Sequence, residues 1–151
     1  MNISVSTIIG KALAAGQTTL SEFESKKILA AYGIPVVREI LADNWEEVKR
    51  AAEDIGYPVV LKKCAPMVTH KTEQGLLIVG IKNDVELKQA FEELAGKFQG
   101  QFLVQEMISG SRELVLGLTR DAQFGPCVMF GLGGIFTEVL NDVYVRKHSG
   151  R

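Results

Sequence analysis

The residues best suited to chemistry are concentrated in one stretch. It runs Lys62-Lys63-Cys64-Ala65-Pro66-Met67-Val68-Thr69-His70-Lys71-Thr72-Glu73-Gln74-Gly75, with three lysines, one histidine and two threonines between two apolar runs. A connection of about a dozen residues without its own periodicity is often functional. An ammonium at the end of a buried strand can meet a phosphate as a point charge; one whose stem lies along apolar surface simply reaches water. Both readings stand for Lys62 and Lys63. A neutral imidazole is a competent nucleophile toward an activated phosphoryl group, so His70 is a candidate base, phosphoryl acceptor or solvated spectator. His148 has no supporting neighbours.

Two further features are weaker. Gly131-Leu132-Gly133-Gly134 lacks both the GxGxxG spacing and the Lys-Ser/Thr ending of a phosphate-binding loop. The residues after it pattern as a strand, where a dinucleotide fingerprint needs a helix. A tight turn and an approach of backbone amides to phosphate both fit. The acids Glu106, Glu113, Asp121, Glu138 and Asp142 are dispersed. Carboxylates that hold Mg²⁺ must converge on one pocket, and no metal ligand is assigned among them.

The elements that must position these groups follow from periodicity and punctuation. A first helix is predicted over 6–15, ending at Gly16. A second starts at Ser21, where Ser21 and Glu24 have capping-box spacing. Phe23, Ile28, Leu29 and Tyr32 follow at near-helical intervals, and Gly33 ends it. Residues 36–41 read as a strand. Asn44 with Glu47 opens a helix through Ile55 that closes at Gly56. Tyr57-Pro58 leads into Val59-Val60-Leu61-Lys62, an apolar run typical of a strand buried on both faces. After the loop over 63–74 come a strand over 75–81, a helix capped by Asn83 or Asp84, and a strand over 101–106. The class is therefore α/β (α+β). The order strand-helix-strand-strand-helix-strand is the ferredoxin-like βαββαβ plan, with the strands around the 63–74 loop antiparallel neighbours. Residues 112–119, 126–130 and 137–145 read as strands opening a second antiparallel lobe. The predicted organisation is an N-terminal helix over 1–19, a first lobe over 20–107 and a partial second lobe over 108–151, with 108–111 as the linker.

Composition narrows the function classes. The 151 residues are 46% hydrophobic and 23% charged with net charge -1, which supports a packed core and gives no basic footprint for nucleic acid. The widely spaced Cys64 and Cys127 form no CxxC, so two reduced thiols of a cytoplasmic protein are expected. The N-terminus has no basic start or long apolar region and is read as a helix, not a signal peptide. No apolar run is long enough for a membrane span.

Taken in order, the motifs are more specific than any one alone. The segment Leu20-Ser21-Glu22-Phe23-Glu24-Ser25-Lys26-Lys27-Ile28-Leu29-Ala30-Ala31-Tyr32-Gly33-Ile34-Pro35 resembles the start of succinyl-CoA synthetase β subunits. Gly56 to Lys62, His70-Lys71-Thr72, Phe124-Gly125-Pro126 and Gly131-Leu132-Gly133-Gly134 resemble the ADP-forming acyl-CoA (acetyl-CoA) synthetase branch. The resemblance covers about 6–146. It implies an ATP-grasp fold, in which two α+β lobes hold ATP/ADP between them, and an ADP-forming acid–CoA ligase reaction that is reversible through phosphohistidine. By the same resemblance Lys62 reaches the nucleotide phosphates, Lys71 is a further nucleotide-binding residue, the hinge Gln105, Glu106, Met107 and Ile108 meets the adenine, and Glu113 lies near the ribose and nucleotide. His70 takes part in phosphoryl relay, while the principal phosphohistidine belongs to a CoA-binding α-type partner.

Two departures qualify this. Gly75 is followed by Leu76, where relatives carry a second glycine. The relatives also continue after the position of Val143 to an Asn-Pro segment and an acid that bind the metal, and 145–151 does not match that continuation. The Mg²⁺ ligands are thus expected beyond Arg151, and the chain alone is expected to be inactive, because phosphoryl transfer leans on that counter-charge. The alternative expectation is a non-catalytic remnant or interaction module with the same fold, in a monomer or an oligomer.

Overall fold

The computed structural model describes residues 5–64, 75–97, 99–110, 114–132 and 143–147. The chain divides into two units, Met1–Ile108 and Ser109–Arg151.

The first unit begins with helices α1 (Val5–Ala14) and α2 (Glu22–Ala31). Both end as their glycines require. Gly16 and Gly33 take φ of 69° and 78°, a region that a Cβ disfavours. This lets the next amide turn back: Gln17 N–H donates to Ala12 O at 2.9 Å and Ile34 N–H to Leu29 O at 3.1 Å. With the Gly16–Leu13 and Gly33–Ala30 bonds, these are two Schellman closures. At the front of α2 the capping box is complete: Ser21 Oγ accepts from Glu24 N–H, and Glu24 Oε2 accepts from Ser21 N–H at 2.9 Å. The apolar spacing on α2 does not produce burial, however. None of its residues is buried, and Leu29 and Tyr32 are exposed.

Next come β1 (Glu39–Ala42), α3 (Trp45–Ile55), β2 (Val59–Cys64), β3 (Leu77–Ile81), α4 (Asp84–Lys97) and β4 (Gln101–Glu106). Asn44 Oδ1 caps α3 by accepting from Glu47 N–H at 3.0 Å. Asn83, not Asp84, does the same for α4, accepting from Glu86 N–H at 2.9 Å. The strand order is β1-β4-β2-β3, and every neighbour is antiparallel. Both βαβ units are therefore split, with β4 between β1 and β2, and β2 between β3 and β4. β1 starts three residues later than the apolar run at 36 suggests. β2 runs on through Cys64, because Lys63 and Cys64 pair with Phe102 and Gln101.

One sheet face forms the core. Val59, Leu61, Phe102, Val104 and Ala42 meet Val48, Ala51 and Ala52 of α3 and Leu87, Ala90 and Leu94 of α4. Alternation along a strand sends successive side chains to opposite faces, so Val60, Lys62, Leu103 and Gln105 lie on the other face.

The second unit holds β5 (Leu114–Asp121), β6 (Gly125–Leu132) and β7 (Val143–Lys147), antiparallel in that order. Asp121 makes the β5–β6 turn by accepting from Gln123 and Phe124 N–H at 2.8 and 2.9 Å. Leu114, Leu116, Leu118, Val128 and Phe130 are exposed. Gly131 and Leu132 belong to β6, with Gly131 opposite Val115, while Gly133 and Gly134 lie outside the described residues. Cys64 and Cys127 are buried and not disulfide-bonded.

Candidate functional site

The two adjacent lysines of β2 meet different fates because they sit one residue apart on a pleated strand. Lys63 turns toward Phe102. It is 2% exposed, its Nζ donates to Gly100 O at 3.0 Å, and it lies 3.5 Å from the centre of the Phe102 ring. Burial holds this ammonium below the ordinary lysine value. Its surroundings mark a packed structural lysine with its head satisfied by a carbonyl and a ring face.

Lys62 points to the other face and into a polar cluster. Its Nζ donates to Glu22 Oε1 and to Gln105 Oε1, both at 2.8 Å. Register explains the meeting: Gln105 of β4 stands opposite Val60 of β2 and Glu39 of β1, so Lys62, Gln105 and Glu39 share a face. Helix α2 contributes two more charges, Glu22 and Lys26, one turn apart at i,i+4. Lys26 Nζ donates to Glu22 Oε1 at 2.8 Å, to Glu39 Oε2 at 2.7 Å and to Gln105 Oε1 at 3.0 Å. Burial pulls the Lys26 ammonium down, but the hydrogen bonds and charges of Glu22 and Glu39 outweigh it and raise it above its ordinary value. Lys26 is thus held cationic.

The end of β4 lies beside this cluster. Glu106 Oε1 accepts from Arg38 N–H at 2.6 Å, and Glu106 N–H donates to Arg38 O at 3.0 Å. Met107 N–H donates to Pro58 O at 3.3 Å, which ties the end of β4 to the entry of β2. Beyond that bond the Met107 and Ile108 side chains are exposed, Ile108 by 63%. A separate concavity of about 410 Å³ lies among α1, α2 and the far ends of the strands, lined by Ile8, Lys11, Phe23, Lys27, Leu41 and Cys64. Neither Lys62 nor Gln105 lines it, so its shape does not report on the lysine cluster.

Of the residues singled out from sequence, the fold brings Lys62 and Gln105 into contact and sets Glu106, Met107 and Ile108 directly after them. His70, Lys71 and Glu113 lie outside the described residues. The sequence reading missed Glu22, Lys26 and Glu39. The i,i+4 spacing of Glu22 and Lys26 is the one local signal that pairs two of them. Among the described residues no group of three or more His, Cys, Asp or Glu side chains is placed to hold a metal ion. No described helix is long and apolar enough to cross a membrane.

With this geometry in place, known proteins give a consistent comparison. The sequence profile of the ATP-grasp domain matches residues 11–148. The subunit beta of acetate–CoA ligase [ADP-forming] II from Pyrococcus furiosus is 42% identical over 147 residues, covering 92% of this chain and 62% of that protein. A Pyrococcus horikoshii crystal structure superposes with a TM-score of 0.91 at 39% identity, over 100% of this chain and 68% of the other. The acetyl-coenzyme A synthetase 1 of Ca. Korarchaeum cryptofilum, solved with coenzyme A and Ca-AMPCP, gives a TM-score of 0.89 at 39% identity, over 95% and 66%. The chain spans less than two thirds of the Pyrococcus furiosus subunit.

Proposed function

The chain belongs to the ATP-grasp family, and from that premise we propose that it supplies the nucleotide-binding part of an ADP-forming acyl-CoA ligase. The reaction converts acyl-CoA, ADP and phosphate to the free acid, CoA and ATP. The observation that carries the reading is the placement of Lys62, whose ammonium is held at 2.8 Å from Gln105 where β4 passes into the hinge.

In this reading Lys62 offers its charge to the nucleotide phosphates, joined by Lys71. A compact ammonium suits that task because it needs no fixed plane of approach. The exposed Met107 and Ile108 side chains give the adenine an apolar seat, and the hinge from Gln105 through Glu106 frames it. Glu113 approaches the ribose. His70 takes a phosphoryl group, its neutral imidazole nitrogen forming the N–P bond as the donor's P–O or P–N bond breaks, and that N–P bond breaks in turn when a terminal phosphate oxygen of ADP attacks phosphorus to give ATP. Mg²⁺, when bound, would supply counter-charge to the phosphates in such reactions. The partner is a CoA-binding subunit, and the setting is cytoplasmic.

The test joins this chain to the part of the Pyrococcus furiosus subunit that it does not cover and mixes it with that enzyme's partner subunit. ATP formation is followed from acetyl-CoA, ADP and phosphate. Lys62→Met should weaken ADP binding by calorimetry on the order of tenfold, the loss of one charge-assisted contact. His70→Asn should suppress turnover while leaving ADP binding nearly intact. Wild-type ADP affinity in Lys62→Met, or unchanged turnover in His70→Asn, would reject the corresponding role. The unjoined chain should bind nucleotide weakly or not at all, and a micromolar metal-dependent affinity would contradict that.

A further inference from the structure

Two ammonium groups in the first unit converge on the same two oxygen atoms. Lys62 and Lys26 each donate to Glu22 Oε1 at 2.8 Å, and each donates to Gln105 Oε1, at 2.8 and 3.0 Å. The lysines come from different elements, β2 and α2, so their meeting is a product of tertiary packing. Two like charges brought this close repel unless an anion sits between them. Here that anion is a carboxylate of the protein itself.

The two acids of the cluster are not equivalent. Glu39 is 6% exposed and is bonded to Lys26 at 2.7 Å from within the sheet. Glu22 is 27% exposed and sits on the helix, bridging both lysines. Removing Glu22 from its bridge leaves two cations facing one buried carboxylate, a net positive site with a neutral amide oxygen beside it. A phosphate group offers several oxygens and more charge than a carboxylate, and so can take both ammonium groups at once.

We propose that Lys26 and Lys62 form a single two-lysine site for a polyphosphate group, with Glu22 as the resting counter-anion that the ligand displaces. Lys26 is then a direct phosphate contact, and Glu22 an internal competitor that keeps the site neutral until ligand arrives. The ligand class rests on the nucleotide reading above, whereas the anion site itself stands on the geometry of the five side chains.

The two lysines and Glu22 predict effects of opposite sign, which a purely structural role does not. Calorimetry of the chain with inorganic tripolyphosphate at low ionic strength should show Glu22→Gln binding on the order of fivefold tighter than wild type, the scale of one partly screened ion pair. Lys26→Met should bind about fivefold weaker. Lys27→Met is the control, since Lys27 lies over the Phe23 ring at 4.2 Å and outside the cluster; it should bind as wild type does. A second measurement needs no variant: tripolyphosphate should protect Lys26 and Lys62 together, but not Lys27, from acetylation read by mass spectrometry. Unchanged or weaker binding by Glu22→Gln, equal behaviour of Lys26→Met and Lys27→Met, or protection of Lys62 without Lys26 would each overturn the proposal. ATP and tripolyphosphate compared on the joined chain separate the two readings. Sign-split tripolyphosphate binding without a preference for ATP would sink the nucleotide reading and keep the anion site.

Discussion

Ser21→Ala is a sensitive probe of how local sequence secures the site, because Ser21 opens the helix that carries Glu22 and Lys26. The residue is 8% exposed. Its Oγ accepts from Glu24 N–H at 3.3 Å and donates to Glu24 Oε2 at 2.7 Å, while Glu24 Oε2 also accepts from Ser21 N–H at 2.9 Å. The substitution removes the acceptor for Glu24 N–H and one of the two donors to the Glu24 carboxylate, and keeps the backbone arm of the box. Loss of an N-cap side chain costs about 1 kcal/mol, within a range of about 0.5–2. The low exposure of Ser21 places this case in the upper half, since water replaces the lost partner poorly. For a unit of roughly this size, about 1 kcal/mol lowers Tm by about 4–8 °C. Urea unfolding should show a lower midpoint with an unchanged slope, and hydrogen exchange should quicken at the amides of 22–25. In a double-mutant cycle with Glu24→Ala the two losses should be less than additive, because each variant removes the same Oγ–Oε2 bond. Ser25→Ala is the internal comparison: its Oγ only donates back to Ser21 O at 2.9 Å. Alanine is the better helix former at that position, so the change should stay within about 0.5 kcal/mol. A Ser21→Ala variant as stable as wild type, or an additive cycle, would refute the capping argument.

Two further outcomes follow from the core. Leu87→Ala, at a fully buried position of α4, should lower unfolding free energy by about 2–5 kcal/mol in urea titration, through lost transfer energy and the cavity left behind. Lys63 gives a pH signature: its folded pKa lies below the ordinary 10.5, so the unfolded chain holds that proton to higher pH than the folded one. Its contribution to stability therefore rises as pH climbs from the folded pKa toward 10.5. The stability difference between wild type and Lys63→Met should shift in wild type's favour over that window, and a flat difference would rule the burial effect out.

Much of the fold was legible because its punctuation is local. A capping box, an Asn cap or a closing glycine needs only residues within one turn, and Ser21 with Glu24, Asn44 with Glu47, and Gly16 and Gly33 behave as their spacing requires. β2 was recognisable because a strand buried on both faces must be apolar nearly throughout, and Lys62 is the one position in it that is not buried. The ends of β1 and β2 were less legible. Where a strand stops depends on the partner available: Cys64 stays in the sheet because Gln101 stands opposite, a fact no local pattern carries. Helix α2 misled for a related reason. Its apolar residues have helical spacing, but the sheet presents Glu39, Lys62 and Gln105 to it, so its contact is ionic.

By itself, then, the sequence determined the helices and their caps, the βαββαβ order, the class and the family resemblance, all properties of neighbours along the chain or of ordered motifs. Only the tertiary structure decided the strand order β1-β4-β2-β3, and with it which of two adjacent lysines faces the polar cluster. Pleating sends Lys62 and Lys63 to opposite faces, but choosing between the faces requires knowing what packs on each: Phe102 and the helical core on one, Gln105, Glu39 and α2 on the other. Lys26 and Glu22 joined Lys62 for the same reason. They lie some forty residues away in sequence, and only packing makes them neighbours.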